Sequence, residues 1–327
     1  MAPGPVSESP ARPGVTVVIP AYNYAQFLPQ AIDSVLNQDY APYEIVVVDD
    51  GSTDHTAAIV AGYGDRVRYL YQTNSGLAAS RNTGVRAAHY DYVAFLDADD
   101  ECLPAFLRRN METYAQLPDD FAIVACSFNY VDRNGSVLHL KQLGPRQPRE
   151  ILCRDVIFRS HFPCTVVAKK AALIECGLFD ATLPSSEDRD MWLRVAARWR
   201  IYFLGGEQLV RIRKHTANMS KQAGRMKATS RRVISKAYRS RLVPRWNVFF
   251  WLKVLSFHHF QTAWMYYEEG RRSQCIREIL WSLLLWPCFL KPHHLNEPWF
   301  FRVRSLLVFC RKHVRRGFVT TSNVQPT

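Results

Sequence analysis

The chain of 327 residues lacks several features that would assign a chemistry outright. No strand-like run is followed by a G-x-G-x-x-G or G-x-x-x-x-G-K-[ST] loop, which argues against backbone cradles for a dinucleotide or for ATP. No stretch offers about twenty uninterrupted apolar residues, the length a spanning helix needs. The cysteines at 102, 126, 153, 164, 176, 275, 288 and 310 stand singly, with no C-x-x-C pair. That spacing argues against a disulfide framework or a zinc site, and for buried thiols in a reducing compartment. The leader "MAPGPVSESPARPG" (1–14) has no apolar stretch, so it predicts a disordered tail and not a signal peptide. Helix-turn-helix, zinc-finger and RNP patterns are all missing, and nucleic acid is not an expected partner.

Acidic residues are scarce in one region only. The chain carries a formal net charge of +13, yet residues 1–210 hold 19 Lys and Arg against 25 Asp and Glu. Residues 211–327 hold 23 against 4, so the basic character belongs to the last third.

What is present begins with four short apolar runs. "VTVVIP" (15–20), "EIVVVDD" (44–50), "VRYLY" (67–71) and "YVAFLD" (92–97) read as buried strands. Helical spacing lies between them in "QAIDSVLNQ" (30–38), "TDHTAAIVAGY" (53–63) and "GLAASRNTGVRAAH" (76–89). Ser52 and Thr53 are natural N-caps for the second of these, with Asp54 placed well for a helix start. Alternation of this kind predicts an open, mostly parallel α/β sheet flanked by helices. Further on, Asn134-Gly135 signals a hairpin, and "EDRDMWLRVAARW" (187–199) is amphipathic and helical.

In such a sheet a ligand binds beyond the carboxyl ends of the strands, where strand order reverses. The unusual residues gather there, in "PAYNYAQF", "DDGSTD" and "DADDE". Without a glycine cradle, a phosphorylated ligand needs positive charge from a metal. Asp97-x-Asp99 suits a hard cation such as Mg2+ or Mn2+. Taken alone, an acidic strand end reads equally as a solvated turn or helix cap.

It is not alone. "VVIPAYNYAQFLPQAIDSVLNQ", "EIVVVDDGSTDHT", "NSGLAASRNTG", "YVAFLDADD", "GLFD", "EDRDMWLR" and "RKHTANMS" follow in order over residues 15–220. The set resembles the family 2 glycosyltransferases, which have the GT-A fold. The resemblance implies an inverting transfer from a nucleoside-diphosphate sugar, a UDP-sugar favoured, to a glycan or lipid-linked acceptor. It also implies a divalent cofactor, Mn2+ or Mg2+, and a role in cell-surface polysaccharide or glycoconjugate synthesis.

Residue by residue, the resemblance puts Pro20, Ala21 and Tyr22 around the nucleobase. Asp50 accepts a hydrogen bond from the base, with Asp49 supporting it. Asn74, Gly76, Arg81 and Asn82 lie beside base and diphosphate; Arg81 is equally suited to bridging carboxylates. Asp97 faces ribose and metal, Asp99 and His215 reach the metal, and Asp100 supports them. Asp188 is the implied catalytic base, since an acceptor hydroxyl must lose its proton as it attacks. Glu187 and Trp192 fall on the acceptor side, Glu187 positioning its loop or touching the acceptor, and Trp192 stacking on a sugar ring unless core packing, the favoured role, claims it. The same choice applies to Leu178 and Phe179. Asp190 belongs to the support of the base. The adjacent pairs His258-His259 and His293-His294 point apart on a helix and receive no metal role.

The sequence thus divides into a leader (1–14), a catalytic domain (15–220, with halves meeting near residue 104) and a basic, aromatic-rich helical extension (221–327). Within the extension, Lys253, Ser256, His259 and Thr262 mark a polar stripe. Its helices read either as interfacial elements on an anionic membrane or as a lid packed on the catalytic domain. The expected location is cytoplasmic, peripheral at the inner face of the membrane. A non-catalytic nucleotide-sugar-binding or scaffold protein is the alternative function. A nucleotidyltransferase would need a basic glycine-rich loop after the first strand, and "PAYNYAQF" is not one.

Overall fold

A computed structural model describes residues 12–138, 147–158, 165–215, 222–243, 247–287 and 301–310. The first strand, β1 (Val15–Ala21), is buried along its whole length, as its unbroken apolar run requires. It pairs in parallel with β2 (Tyr43–Asp49), and β3 (Arg68–Tyr71) continues the parallel set outward. On its other side β1 pairs in parallel with β4 (Tyr92–Phe95). Strand order therefore reverses at β1, and the crevice between the ends of β1 and β4 is the switch point.

Parallel neighbours need crossovers, and three helices supply them. The first, α1 (Leu28–Leu36), buries Leu28, Ala31, Ile32 and Val35, the i, i+3, i+4, i+7 face of its apolar pattern. Next come α2 (Thr56–Ala61) and α3 (Leu77–Ala87). Small residues let α3 lie close on the sheet; a methyl group at Gly84 would stand 2.2 Å from Cγ1 of Val18.

The second half of the sheet is mixed. It contains β5 (Glu101–Cys102), α4 (Phe106–Tyr114), β6 (Phe121–Val131), β7 (Val137–Leu138), β8 (Arg149–Ile151), α5 (Cys153–Phe158) and β9 (Val166–Lys169). After these come α6 (Lys170–Glu175), α7 (Glu187–Ala196) and β10 (Arg200–Arg213). The strand order is β3-β2-β1-β4-β9-β6-β10-β5. β9 runs antiparallel to both β4 and β6, whereas β10 is parallel to β6. The parallel rule thus holds where crossover helices alternate with strands and lapses where they do not. The expected hairpin at Asn134-Gly135 forms between β6 and β7, with Gly135 at φ 88°.

One sheet face is covered by α1, α2 and α4, through residues such as Ile32, Val60 and Leu107. The opposite face takes α3, α5, α6 and α7 and then the C-terminal helices. These last are α8 (Ala223–Arg239), α9 (Val248–Glu268), α10 (Arg272–Leu285) and α11 (Phe301–Cys310). Trp251, Val254, Phe257 and Phe260 of α9 share a core with Val156, Ile157 and Phe158 of α5. The C-terminal helices are therefore packed on the sheet-bearing part of the chain. The polar stripe of α9 is a seam between helices and not a wet face. Ser256 and Thr262 are buried, and the Ser256 hydroxyl donates to the Ser282 carbonyl at 2.6 Å while accepting from Arg302 at 2.9 Å. Buried Glu278 accepts from Lys227 at 2.6 Å and pairs with His259 at 2.7 Å. Among the described residues, no helix is long and apolar enough to cross a membrane. Cys102, Cys126, Cys176 and Cys275 are buried free thiols and Cys153 is half-buried. Cys164, Cys288 and the pair His293-His294 lie outside the described residues, and the side chain of Cys310 is likewise outside the description.

Candidate functional site

The switch point carries the acidic cluster. β1 ends on Pro20 and Ala21, followed by Tyr22, whose ring is 46% exposed and free to meet a flat ligand. Beyond it, Asn23 adopts φ 57° and ties two loops together. Its carboxamide oxygen accepts from the Thr53 amide at 2.8 Å, and its own amide donates to the Ser52 hydroxyl at 3.0 Å. Ser52 and Thr53 therefore do not cap α2, as the sequence had suggested. His55 stands at the N-cap, and Asp54 just before it accepts from the Thr56 amide at 3.0 Å.

The two aspartates after β2 are held from within the fold. Asp49 accepts from the Tyr69 hydroxyl at 2.6 Å and the Ser52 amide at 2.8 Å. Asp50 accepts from Gln72 at 2.6 Å, from the Ser75 amide at 2.9 Å and from the Gly76 amide at 2.8 Å. Asp50 thereby shapes the loop that carries Asn74 and Gly76. A methyl group at Gly51 would come within 2.9 Å of the Asn74 amide nitrogen, so this loop packs directly on the end of β2.

Arg81 settles between its two suggested roles. Its side chain is 2% exposed, and it donates to Asp97 at 2.7 Å and to Glu187 at 2.5 Å. It is a bridge between the end of β4 and the start of α7. Glu187 is correspondingly buried on Arg81, an arrangement that fits positioning the start of α7 better than touching an acceptor. Asn82 is also reassigned. It clamps the Phe179 backbone with two hydrogen bonds of 2.8 Å, which engage both ends of its carboxamide. Trp192 is wholly buried, with Phe95 and Phe179 rings 6.4 and 5.7 Å away, so it packs the core and cannot stack on a sugar. Phe179 and Leu178 are core residues for the same reason.

Asp99 meets His215 at 2.9 Å, joining the end of β4 to the segment after β10. Burial, reinforced by the charge on Asp97, pushes the Asp99 carboxyl above its ordinary range, with His215 opposing the shift. Asp100 is pushed well above it by burial and then by Asp99 and Asp97, while accepting from the Arg213 amide at 2.9 Å. Glu101 turns away and pairs with Arg213 at 2.5 Å. His215 stacks on Phe27 at 5.1 Å and lies 5.8 Å from Tyr24. Burial, with Asp99, Asp97 and Asp100 nearby, raises the Tyr24 hydroxyl above its ordinary range. Tyr24, Phe27 and Arg213 went unnoticed in the sequence. The only signals available were the alternation of Tyr22 with Tyr24 and of Arg211 and Arg213 with His215.

Among the described residues, no group of three or more His, Cys, Asp and Glu is arranged as a ready-made metal cage. The donors fit a hard cation nonetheless. Mg2+ and its like usually take one or two carboxylates and complete their shell from phosphate oxygens and water. Asp97 and Asp99 are crowded carboxylates whose repulsion a cation relieves, and His215 is in reach of Asp99.

Asp188 starts α7 with Glu187 and Asp190 beside it. It is half-buried, accepts from the Arg189 amide at 2.6 Å, and has its carboxyl pushed up to about 6. Burial is the main cause and the charge of Glu187 the next, with Arg81 opposing. A carboxylate of that basicity is suited to taking a proton near neutral pH. Asp190 pairs with Arg194 and Lys236.

Comparison with known proteins starts with the family model for Glycosyl transferase family 2, which matches residues 16–176. An uncharacterised glycosyltransferase of Rickettsia prowazekii, RP339, is 32% identical over 214 residues, covering 64% of this chain and 67% of the relative. The chain belongs to glycosyl transferase family 2. An uncharacterised glycosyltransferase of Bacillus subtilis, EpsJ, is 37% identical over 119 residues, 36% of this chain and 34% of that one. Among solved structures, residues 1–349 of S. aureus TarS in complex with UDP give a TM-score of 0.55 at 18% identity, covering 85% of this chain and 93% of that one. The mannosyltransferase PcManGT of Pyrobaculum calidifontis, in complex with GDP-Man and Mn2+, gives 0.59 at 18% identity, covering 86% and 77%. These structures share the GT-A fold with the family 2 chain. As a family 2 member it is a glycosyltransferase. The family match ends at residue 176, before α7, β10 and the C-terminal helices.

Proposed function

We propose that this glycosyltransferase moves a sugar from a nucleoside-diphosphate donor to an acceptor hydroxyl with inversion, using Asp188 as the base. The observation that carries the reading is the position of Asp188. It lies one residue from Glu187, which Arg81 joins to Asp97, so the raised carboxyl and the acidic switch point form one site. TarS binds UDP and UDP-GlcNAc and PcManGT binds GDP-Man, which supports a nucleotide-sugar donor; a UDP-sugar is favoured.

In this reading Tyr22 offers its exposed ring to the base, beside Pro20 and Ala21, and Asp50 holds the Asn74–Gly76 loop against it. Asp97, Asp99 and His215 would hold a divalent cation, Mn2+ or Mg2+, which would supply positive charge for the departing diphosphate. Arg81 keeps Asp97 and α7 at a fixed separation. Asp188 accepts the acceptor proton as the hydroxyl oxygen attacks the anomeric carbon, and the carbon–oxygen bond to the diphosphate breaks on the opposite side. A single in-line displacement inverts the centre. Residues 15–220 form the catalytic unit in this reading, and 221–327 the extension.

The acceptor is a glycan or a lipid-linked sugar, in polysaccharide or glycoconjugate synthesis at the inner face of an anionic membrane. The C-terminal helices support that placement. Arg277, Leu280, Trp281 and Leu284 follow an i, i+3, i+4, i+7 pattern on the outer face of α10, with the three apolar residues 51, 48 and 71% exposed. Phe249 is 69% exposed and lies 6.2 Å from the ring of Trp286, which Lys253 covers at 4.6 Å. Aromatic and aliphatic side chains among cations complement an anionic lipid surface.

The test is release of nucleoside diphosphate from UDP-sugars with Mn2+, comparing the parent with Asp99→Ala and Asp188→Asn. Both substitutions are expected to lower the rate at least tenfold, roughly the scale of acid–base and charge-stabilising contributions. Rates unchanged in both would refute the site.

A further inference from the structure

The raised carboxyl of Asp188 is useful only where it meets an acceptor, and the segment that leads into it has no regular structure. Asp180–Ser186 joins the core residue Phe179 to the start of α7. It ends on Ser186 at φ 57°, in the left-handed region that a non-glycine residue occupies at a cost. Such a residue persists where its surroundings over-determine it.

Those surroundings come from α8, outside the family match. Arg225, Arg232 and Lys236 are spaced by seven and four residues and so share one stripe of the helix. Lys236 donates to Asp180 at 2.7 Å and reaches Asp190 of α7 at 2.9 Å. Arg232 donates to the carbonyl and the hydroxyl of Thr182, each at 3.2 Å, and Arg225 to the carbonyl of Pro184. Asp180 also accepts from the Thr182 amide at 3.0 Å, closing the turn. Burial of Asp180 raises its carboxyl, but hydrogen bonds from Lys236 and Thr182 outweigh that and hold it at about 2. Three cations from one helix therefore converge on the five residues Asp180–Pro184.

The contacts to Asp180, Thr182 and Pro184 stand near the surface, where an ion pair adds little to global stability, while buried Asp190 has Arg194 as a second partner. The apolar face of α8, with Val233, Ile234 and Ala237 buried, already fastens the helix to the core. The cations therefore do something more local. We propose that α8 is the positioning element for the base: Lys236, aided by Arg232 and Arg225, locks the Asp180–Ser186 segment and so fixes where Asp188 meets the acceptor hydroxyl. The proposal rests on the reading of Asp188 given above. It also gives part of the charge division a purpose, since basic side chains of the last third complement acids around the base.

The experiment is steady-state kinetics on full-length Lys236→Met and Lys236→Arg, with donor and acceptor varied separately. Lys236→Met is expected to lower kcat by about 10- to 100-fold, the scale of a small misplacement of a reacting group. Donor KM should stay within about twofold, because the nucleotide half is untouched, and Lys236→Arg should recover most of the loss. Asp180→Asn combined with Lys236→Met should cost little beyond the single change, as coupled partners do. Backbone amides of 180–188 should exchange about tenfold faster in Lys236→Met, with α3 and β1 unchanged. An unchanged kcat, or a loss matched by an equal rise in donor KM with no local exchange change, overturns the proposal. Asp188→Asn separates the two ideas. Turnover retained there overturns the base assignment and this proposal with it. Turnover lost there but retained in Lys236→Met overturns the clamp alone.

Discussion

Replacing Asp188 by Asn should make the protein more stable as well as inactive, and the pH at which the gain appears is set by the site. The carboxyl is pushed up to about 6 in the fold, against 3.8 for the free side chain. A native value above the unfolded one means that the native state binds the extra proton, so the ionised form is the destabilised one. The difference is roughly two pK units at about 1.4 kcal/mol each, a ceiling of about 3 kcal/mol. Because Asp188 is half-buried and its charge is partly screened, about 1–2 kcal/mol is the reasonable expectation. That corresponds to a rise in melting midpoint of about 1.5–3 °C for a chain of this size. The side-chain oxygen of Asn can still accept from the Arg189 amide, so the geometry is preserved.

The sign with pH is definite. Below about pH 4 Asp188 is protonated in both states, and parent and variant should melt together. Between about pH 4 and 6 the parent loses stability relative to Asp188→Asn, and above about pH 6 the gap is constant. The assay is differential scanning fluorimetry across pH 3.5–8 in chelating buffer, which keeps metal binding out of the comparison. A variant less stable than the parent at pH 7, or a gap independent of pH, would refute the claim that burial and Glu187 strain this carboxylate.

Three further outcomes follow from the same geometry. Arg81→Met leaves Asp97 and buried Glu187 without their common partner, and should destabilise the fold by about 3–5 kcal/mol in urea unfolding. Tyr22→Ala should raise donor KM by about tenfold, roughly the worth of one stacked base, with a melting midpoint near that of the parent because the ring is exposed. Leu280→Glu with Leu284→Glu should abolish co-sedimentation with phosphatidylglycerol vesicles while leaving soluble-acceptor turnover intact. Full sedimentation of that double variant would remove the membrane assignment.

How far the sequence could be read depends on the range of the forces involved. The four strands of the nucleotide half and their crossover helices were legible because burial on both sheet faces demands continuous apolar runs, and helices demand a 3.6-residue period. Asp97, Asp99, Asp188 and His215 stand in motifs visible in the sequence, and the fold brings His215 onto Asp99 across 116 residues of chain. Ser52 and Thr53 misled because a local capping rule cannot foresee that Asn23, from a different loop, will take both. For Trp192 and Glu187 the sequence left two roles open each, and Phe95, Phe179 and Arg81, closing over them from other elements, favour core packing and positioning.

The C-terminal third shows the limit most clearly. Sequence alone determined that it is basic, helical and too polar to span a bilayer, since composition and periodicity are properties of the chain itself. Only the tertiary structure decided that the polar stripe of α9 is an internal seam, that α10 keeps an apolar face outward, and that the cations of α8 close on the segment before Asp188. Each of those outcomes depends on which surface a helix meets, and a partner from a distant part of the chain leaves no mark in the local pattern.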